Sequence, residues 1–230
     1  MINELKAALK RISGVVPWQE NTALQQKMIS NYISSNQVRK IQFGCGPNYL
    51  PGWLNTDIYK TFDDVTFLDI TKQLPLPSNS FDYMTSEHLI EHITFPEGLA
   101  FLKECMRVLR PNGKVRITTP NLETILKLYN SAQTKEKEYI DHIVQNFIPQ
   151  ANYNKEVFVI NNAFRNWGHQ FLFDKATLIN LLSEAGFSQI TEVEPGVSGH
   201  PEFADIDVRN KSDRRHINRF EVMVFEAIKP

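Results

Sequence analysis

Short apolar runs bounded by glycine, proline and small polar residues recur along the chain. They predict strands at Val38 to Phe43, Leu54 to Ile58, Val65 to Leu68, Phe81 to Thr85 and Lys114 to Thr118, with closing strands at Ile190 to Val193 and Phe220 to Ala227. Between the fourth and fifth strands, Leu99, Leu102, Met106 and Leu109 recur at helical spacing after Pro96, and Pro111-Asn112-Gly113 ends the pattern. Leu178, Leu181, Leu182 and Ala185 mark another helix, stopped by Gly186. Residues 3 to 12 and Asn21 to Ser35 are helix-compatible, so residues 1–37 are expected to form an N-terminal helical extension ahead of one domain spanning 38–230. Residues 121 to 170 break the alternation, with helical spacing at Leu122 to Tyr129 and at Ile140, Ile143, Val144 and Phe147, then an aromatic, Asn-rich stretch to Trp167. They read as an insertion after the fifth strand. Alternation of strand and helix implies an α/β fold with a largely parallel sheet, whose ligands bind at the C-terminal ends of the strands. Gly44, Asp57, Asp69 and Ser86 fall at such ends.

The stretch KIQFGCGPNYLPGWLNTDI, Lys40 to Ile58, carries the first chemical signal. A strand that breaks at Gly44-Cys45-Gly46 lets backbone N–H groups approach a ligand, and a carboxylate closing the next apolar run can accept from both hydroxyls of a ribose. The dinucleotide fingerprint G-x-G-x-x-G wants a third glycine, but position 49 is Tyr49. It also expects its acidic residue roughly 20 residues on, after a helix whose N-terminus holds a pyrophosphate, whereas Asp57 comes 11 residues after Gly46. Pro47, Pro51 and Gly52 leave room for a loop or at most a turn or two of helix. A nucleoside without phosphates suits this layout better.

GCGPNYLPGWLNTDI resembles motif I of the class I S-adenosylmethionine-dependent methyltransferases, in a subgroup of small bacterial members with a shortened first crossover. TFLDI (Thr66 to Ile70), LPLPSNSFDYMTSEHLIEHI (Leu74 to Ile93), VLRPNGKVRITTPN (Val108 to Asn121) and GHQFLFDKATLINLLSEAGF (Gly168 to Phe187) resemble later stretches of that family in the same order. The resemblance implies a Rossmann-like, seven-stranded, mostly parallel sheet with helices on both faces and an antiparallel last strand. It implies S-adenosylmethionine as cofactor, with Phe43, Gly44, Cys45 and Gly46 along its methionine moiety and Asp57 and Ile58 at the ribose. Asp69 and Ile70 would stand at the adenine, and Ser86, Glu87 and His88 at the methionine end, with Ser86 and Glu87 preferred over His88. It further implies a small-molecule acceptor, with a sugar hydroxyl of surface-glycan pathways leading, and makes residues 121 to 170 a candidate for substrate recognition.

Composition adds limits. The 230-residue chain carries a net charge of −1, with 22% charged and 42% hydrophobic residues, so no global basic field favours nucleic acid. No 18-residue apolar run occurs, and charges at positions 4, 6, 10 and 11 interrupt the first segment, so a cytoplasmic protein without membrane attachment is expected. Cys45 and Cys105 offer no disulfide framework or C-x-x-C pair.

A methyl acceptor hydroxyl is helped by a group that takes its proton, and histidine suits that task near neutral pH. His169 and His92 are the candidates, His169 slightly preferred. Glu87 and His88 recur one helical turn later as Glu91 and His92, a superficial likeness to metal-ligand spacing; Leu89 follows His88 where the HExxH pattern wants glutamate, and no metal is expected. Arg209, Lys211, Arg214, Arg215, His216 and Arg219 form a basic run that reads either as a solvated face or as a binding site for an anionic substrate. Two other classes stay open on the residues: a nicotinamide-dependent oxidoreductase and a regulator that binds the cofactor without catalysis.

Overall fold

In the computed structural model, residues 22–130, 133–207, 217 and 219–230 are described. Helix α1 (Thr22–Ser35) precedes strands β1 (Lys40–Phe43), β2 (Leu54–Asp57), β3 (Thr66–Phe67) and β4 (Phe81–Glu87). A 3-10 turn (Ile90–His92), helix α2 (Phe95–Val108) and strand β5 (Leu109–Pro120) follow. Helices α3 (Leu122–Lys127), α4 (Thr134–Phe147), α5 (Glu156–Arg165) and α6 (Lys175–Glu184) lead to β6 (Ser188–Val193) and β7 (Val222–Ile228). The seven strands form one sheet in the order β3-β2-β1-β4-β5-β7-β6. Neighbours from β3 to β5 are parallel, and β7 runs antiparallel to both β5 and β6.

Strand alternation sorts the residues onto two unlike faces. Ile41, Phe43, Leu54, Met84, Val115, Ile117 and Phe225 belong to one buried apolar cluster with Phe101 and Leu102 of α2 and Leu178, Leu181 and Leu182 of α6. Phe43 and Phe101 meet edge to face at 5.1 Å. The other face is polar and still buried, with Gln42, Asn55, Thr85, Arg116 and Glu226 on it. Loop 48–53 and the connection 194–207 cover it: Phe203 stacks on Trp53 at 6.2 Å and meets Tyr83 edge-on at 5.4 Å. Arg116, fully buried, fixes that cover by a bidentate pair with Asp207 at 2.8 and 2.9 Å, a bond to Glu226 and a bond to the Val197 carbonyl at 3.0 Å.

The capping of α2 follows the sequence: the Glu97 carboxylate accepts from the Thr94 N–H at 2.8 Å and Pro96 sits in the first turn. Two elements differ from expectation. Strand β5 begins at Leu109 rather than Lys114, because Leu109 pairs with Phe81 before the ladder shifts to Lys114 and Tyr83; the Pro111-Asn112-Gly113 turn persists as a bulge, with Asn112 at φ +62°. Helix α5 falls in the aromatic, Asn-rich stretch to which the sequence pattern assigns no element, since burial of Val159, Asn162 and Ala163 outweighs the weak helix propensity of Asn161 and Asn162.

Helix α1 belongs to the core of the sheet. Ile29 enters the apolar cluster, Gln25 Nε2 donates to the Phe67 carbonyl at 2.7 Å, and the Tyr32 hydroxyl accepts from the Lys40 N–H at 3.0 Å. Residues 1–21, including the expected helix at 3 to 12, and the basic residues from Arg209 to His216 lie outside the described residues. Helices α4 and α5 form a satellite core of Tyr139, Ile140, Ile143, Val144 and Val159 between β5 and α6. Among the described residues no helix is long and apolar enough to cross a membrane.

Truncating Arg116 to Ala should cost about 3–5 kcal/mol in urea unfolding, because Asp207 and Glu226 would remain buried without their cation; a change below ~1 kcal/mol would show that the ion cluster does not hold the cover.

Candidate functional site

Ten residues, 44 to 53, join the parallel strands β1 and β2 with no helix, fewer than such a crossover ordinarily uses. Hydrogen bonds hold the path. The Cys45 N–H donates to the Thr56 carbonyl at 3.0 Å, and buried Asn55 accepts from the Leu50 N–H at 2.9 Å while donating to the carbonyls of Leu50 and Trp53. Gln42 Nε2 donates to the Asn48 carbonyl at 2.9 Å. Gly44 and Gly46 are left-handed, at φ +62° and +48°. A Cβ on Gly44 would stand 2.7 Å from Leu89 Cδ1, so the glycine turn lies directly against the segment after β4. A Cβ on Gly46 meets nothing within 4 Å, so open space adjoins the backbone there.

Asp57 closes β2 at 8% exposure. Its Oδ2 accepts from the Gly46 N–H at 2.8 Å and its Oδ1 from the Tyr59 N–H at 2.9 Å. Burial pushes its pKa up, with the N–H groups of Gly46, Tyr59 and Ile58 opposing. Each carboxylate oxygen has more than one acceptor site, so two ribose hydroxyls can still be received. Burial likewise pushes the Cys45 thiol up to about 12, aided by the nearby Asp57 charge, which makes it a neutral lining group and not a nucleophile.

The remaining expected positions divide. The Phe43 side chain is committed to the core, so only its backbone faces the turn. Ile70 is buried, and Ile58 is exposed. Asp69 accepts from the Thr71 N–H and hydroxyl at 3.0 and 2.7 Å, with Lys72 at 3.5 Å, and so closes its own turn. Its neighbour Leu68 donates to the Asp57 carbonyl at 3.1 Å, which keeps the two strand ends together. Ser86 is buried with an unpartnered Oγ, and Glu87 reaches the glycine turn through Asn48 Nδ2 at 3.5 Å. A glycine turn, a strand-end carboxylate, a buried hydroxyl and flanking isoleucines fit a nucleoside joined to an amino-acid tail. With no helix between β1 and β2, no helix N-terminus stands there for a pyrophosphate, as the dinucleotide layout requires.

Beyond Glu87 the chain turns at His88, in the left-handed region at φ +49°, where its N–H donates to the Thr118 carbonyl at 2.8 Å. This sets Glu91 wholly inside the protein. Thr119 Oγ donates to Glu91 Oε2 at 3.0 Å, while Oε1 makes no aligned hydrogen bond and lies 3.2 Å from His88 Nδ1. The segment carrying His169 is tied down on top: the N–H groups of Gln170 and Phe171 donate to the Glu91 carbonyl at 2.7 and 3.2 Å, and Gln170 Nε2 donates to the His92 carbonyl at 2.7 Å. The rings of His92 and His169 meet at 5.0 Å, with Trp167 5.8 Å from His169. His169 Nδ1 stands 2.8 Å from the Ala163 carbonyl; a carbonyl only accepts, so Nδ1 carries a proton, and in the neutral ring the lone pair falls on Nε2. The two histidines are thus brought together, over a carboxylate that sequence reading had treated only as a helical repeat of Glu87. Its placement between Ile90 and Ile93, both buried, was the available signal.

Burial alone would raise the pKa of Glu91, but contact with His88 and the charges of His88, His92 and His169 bring it down to about 2.

A family model for a methyltransferase domain matches residues 41–117, the stretch from β1 into β5 that carries these strand ends. A demethylmenaquinone methyltransferase of Staphylococcus epidermidis is 32% identical over 123 residues, covering 51% of this chain and 44% of that protein. The ubiquinone/menaquinone biosynthesis C-methyltransferase UbiE of Vibrio cholerae is 26% identical over 123 residues, covering 52% of this chain and 42% of that protein. The chain therefore spans under half the length of these curated relatives. A crystal structure of an S-adenosylmethionine-dependent methyltransferase from Thermotoga maritima, described as a possible histamine N-methyltransferase, superposes with a TM-score of 0.51 at 17% identity, over 90% of this chain and 89% of that one. The fold and site define a Rossmann-like nucleoside-binding domain. Residues 41–117 match a methyltransferase domain, the fold is shared with an S-adenosylmethionine-dependent methyltransferase, and the strand ends fit that cofactor.

Because the folded pKa of Glu91 is depressed, its contribution is present above the ordinary carboxylate value of 4.5 and is lost as pH falls toward about 2. Wild-type protein should lose on the order of 3 kcal/mol of stability across that window. Glu91→Gln should lose markedly less; an identical acid limb in chemical denaturation would contradict the assignment.

Proposed function

We propose that the chain transfers a methyl group from S-adenosylmethionine to a small-molecule acceptor, and that the accepting atom is a hydroxyl, a sugar hydroxyl first among the candidates. One observation carries the reading: the glycine turn bonded to Asp57 and the Glu91-His92-His169 cluster both lie at the C-terminal end of the same sheet, joined through Gly44 against Leu89, which supports a cofactor cradle on the side of a proton-handling group. The family resemblance to small glycan-pathway members supports the sugar. The named relatives act on quinone precursors, which makes a quinone ring the competing acceptor.

In this reading the methylsulfonium supplies an already activated methyl group, and the chain's task is to orient, dry and deprotonate. Backbone groups of residues 43 to 46 follow the methionine moiety, with Ser86, Glu87 and His88 at its end. Asp57 takes the ribose hydroxyls beside Ile58, Ile70 packs on the adenine, and Asp69 stands at its amino group. His169 and His92 take the acceptor side, and the proton leaves through that pair, the Glu91 charge favouring the imidazolium that forms. Helices α3 to α5, the segment read as the substrate-recognition element, contact the acceptor in this reading.

Asp57→Ala removes two hydrogen bonds to a charged acceptor and should weaken S-adenosylmethionine about 10- to 100-fold in a calorimetric titration; undiminished affinity, or binding of NAD in its place, would contradict the cradle. Methyl release measured on a panel of sugars and hydroxylated quinones should single out sugars. His169→Ala or His92→Ala should lower turnover on the selected acceptor by about 100-fold or more. Wild-type turnover in both variants would exclude the pair, and cofactor binding with no release on any acceptor would favour a non-catalytic regulator.

A further inference from the structure

Glu91, His92 and His169 each bring one potential ligand atom within 4.8 Å of the other two. Tetrahedral ligands ~2.1 Å from zinc stand roughly 3.4 Å apart, so small side-chain rotations separate this arrangement from a coordination sphere. The supporting contacts are those of a ligand set. His169 donates Nδ1–H to the Ala163 carbonyl, which in the neutral ring fixes the tautomer and leaves the lone pair on Nε2. Glu91 is oriented by the Thr119 hydroxyl on Oε2 and by His88 beside Oε1. Metal-bound histidines and carboxylates carry just such outer partners. The two halves of the cluster are locked together by the bonds from Gln170 and Phe171 to the carbonyls of Glu91 and His92.

The charge balance points the same way. Glu91 is 0% exposed, and among the described residues its one ion-pair partner is His88. A wholly buried carboxylate needs a compensating cation. Its Oε1 has no aligned donor. A divalent cation held by the same groups would compensate that carboxylate directly.

We propose that Glu91, His92 and His169 form a binding site for a divalent transition-metal cation, with zinc the best match to one carboxylate and two imidazoles. The donor set is three protein ligands with a position left for an exogenous oxygen, the composition of catalytic zinc sites. This departs from the expectation that the chain holds no metal: the third ligand comes from a loop 77 residues after His92 in sequence. Binding itself is independent of methyl transfer. Its role rests on the reading given above: the cation would lower the pKa of the acceptor hydroxyl, whose proton passes to water, and with metal bound the imidazoles act as ligands in place of taking that proton themselves.

The test uses the full chain, freed of metal by a chelator and titrated with Zn²⁺ alone, without cofactor or acceptor. One equivalent should bind, and His92→Ala, His169→Ala and Glu91→Gln should each weaken it at least tenfold. Thr119→Val, which touches only the outer partner, should weaken it about 10-fold while melting near the wild-type temperature, so the outcome does not depend on the Glu91 variant folding. Co²⁺ in place of Zn²⁺ should give an intense visible absorption of tetrahedral type that the His169 variant lacks. No binding by wild-type protein, or binding unchanged in both histidine variants, overturns the site. Because neither readout uses methyl transfer, the metal site can fail while the methyltransferase reading stands, and the reverse.

Discussion

The connection from β1 to β2 is the constraint on which the site depends. Parallel strands must carry the chain back along the sheet, and most proteins do this with a helix. Here residues 44–53 suffice, and the saving forces the chain through two left-handed glycines and into the side-chain bonds of Gln42 and Asn55. The same shortness carries Gly46 onto the Asp57 carboxylate and Gly44 onto Leu89, so β1, β2 and the segment after β4 converge at one point. A longer crossover would have placed a helix N-terminus there, which is what phosphates need. What remains suits a nucleoside cofactor with a sulfonium tail.

The short crossover also leaves the polar face of the sheet to be covered by other means. Trp53 from the connection itself and Phe203 from the segment after β6 close it, and Arg116 anchors that segment through Asp207. On the opposite face, apolar packing of α2 and α6 fixes the turn that carries Glu91 and His92. Two buried charge clusters thus hold different parts of one sheet. The first is self-compensated by a guanidinium; the second is an anion among imidazoles, the kind of group that titrates, binds cations or handles protons.

Sequence reading reached the sheet and the helix-free glycine turn because their signals are local. Apolar runs and the glycine-to-aspartate spacing depend only on neighbours, and all seven strands and the missing crossover helix follow from them. It stopped short where the cause is long-range. Leu109 enters β5 through pairing with Phe81, and α5 forms despite its asparagines because Val159 and Ala163 are buried. Neither partner is adjacent in sequence. The histidine cluster shows the same limit: His92 and His169 were singled out separately, yet only the fold places Glu91 beneath them and Thr119 behind it. The polar face was illegible for a similar reason, since an arginine within a strand gives no sign that an aspartate 91 positions later will bury it.

The central claim is that the turn at Gly44 to Gly46 and Asp57 form a cradle for S-adenosylmethionine beside the histidine cluster. The most direct measurement is a crystal structure grown with S-adenosylhomocysteine. The account predicts density with the ribose hydroxyls on Asp57, the amino-acid tail along residues 43 to 46 and the sulfur directed toward the His92 and His169 side. Density elsewhere on the molecule, or a ribose that leaves Asp57 bonded only to its own backbone donors, would contradict it.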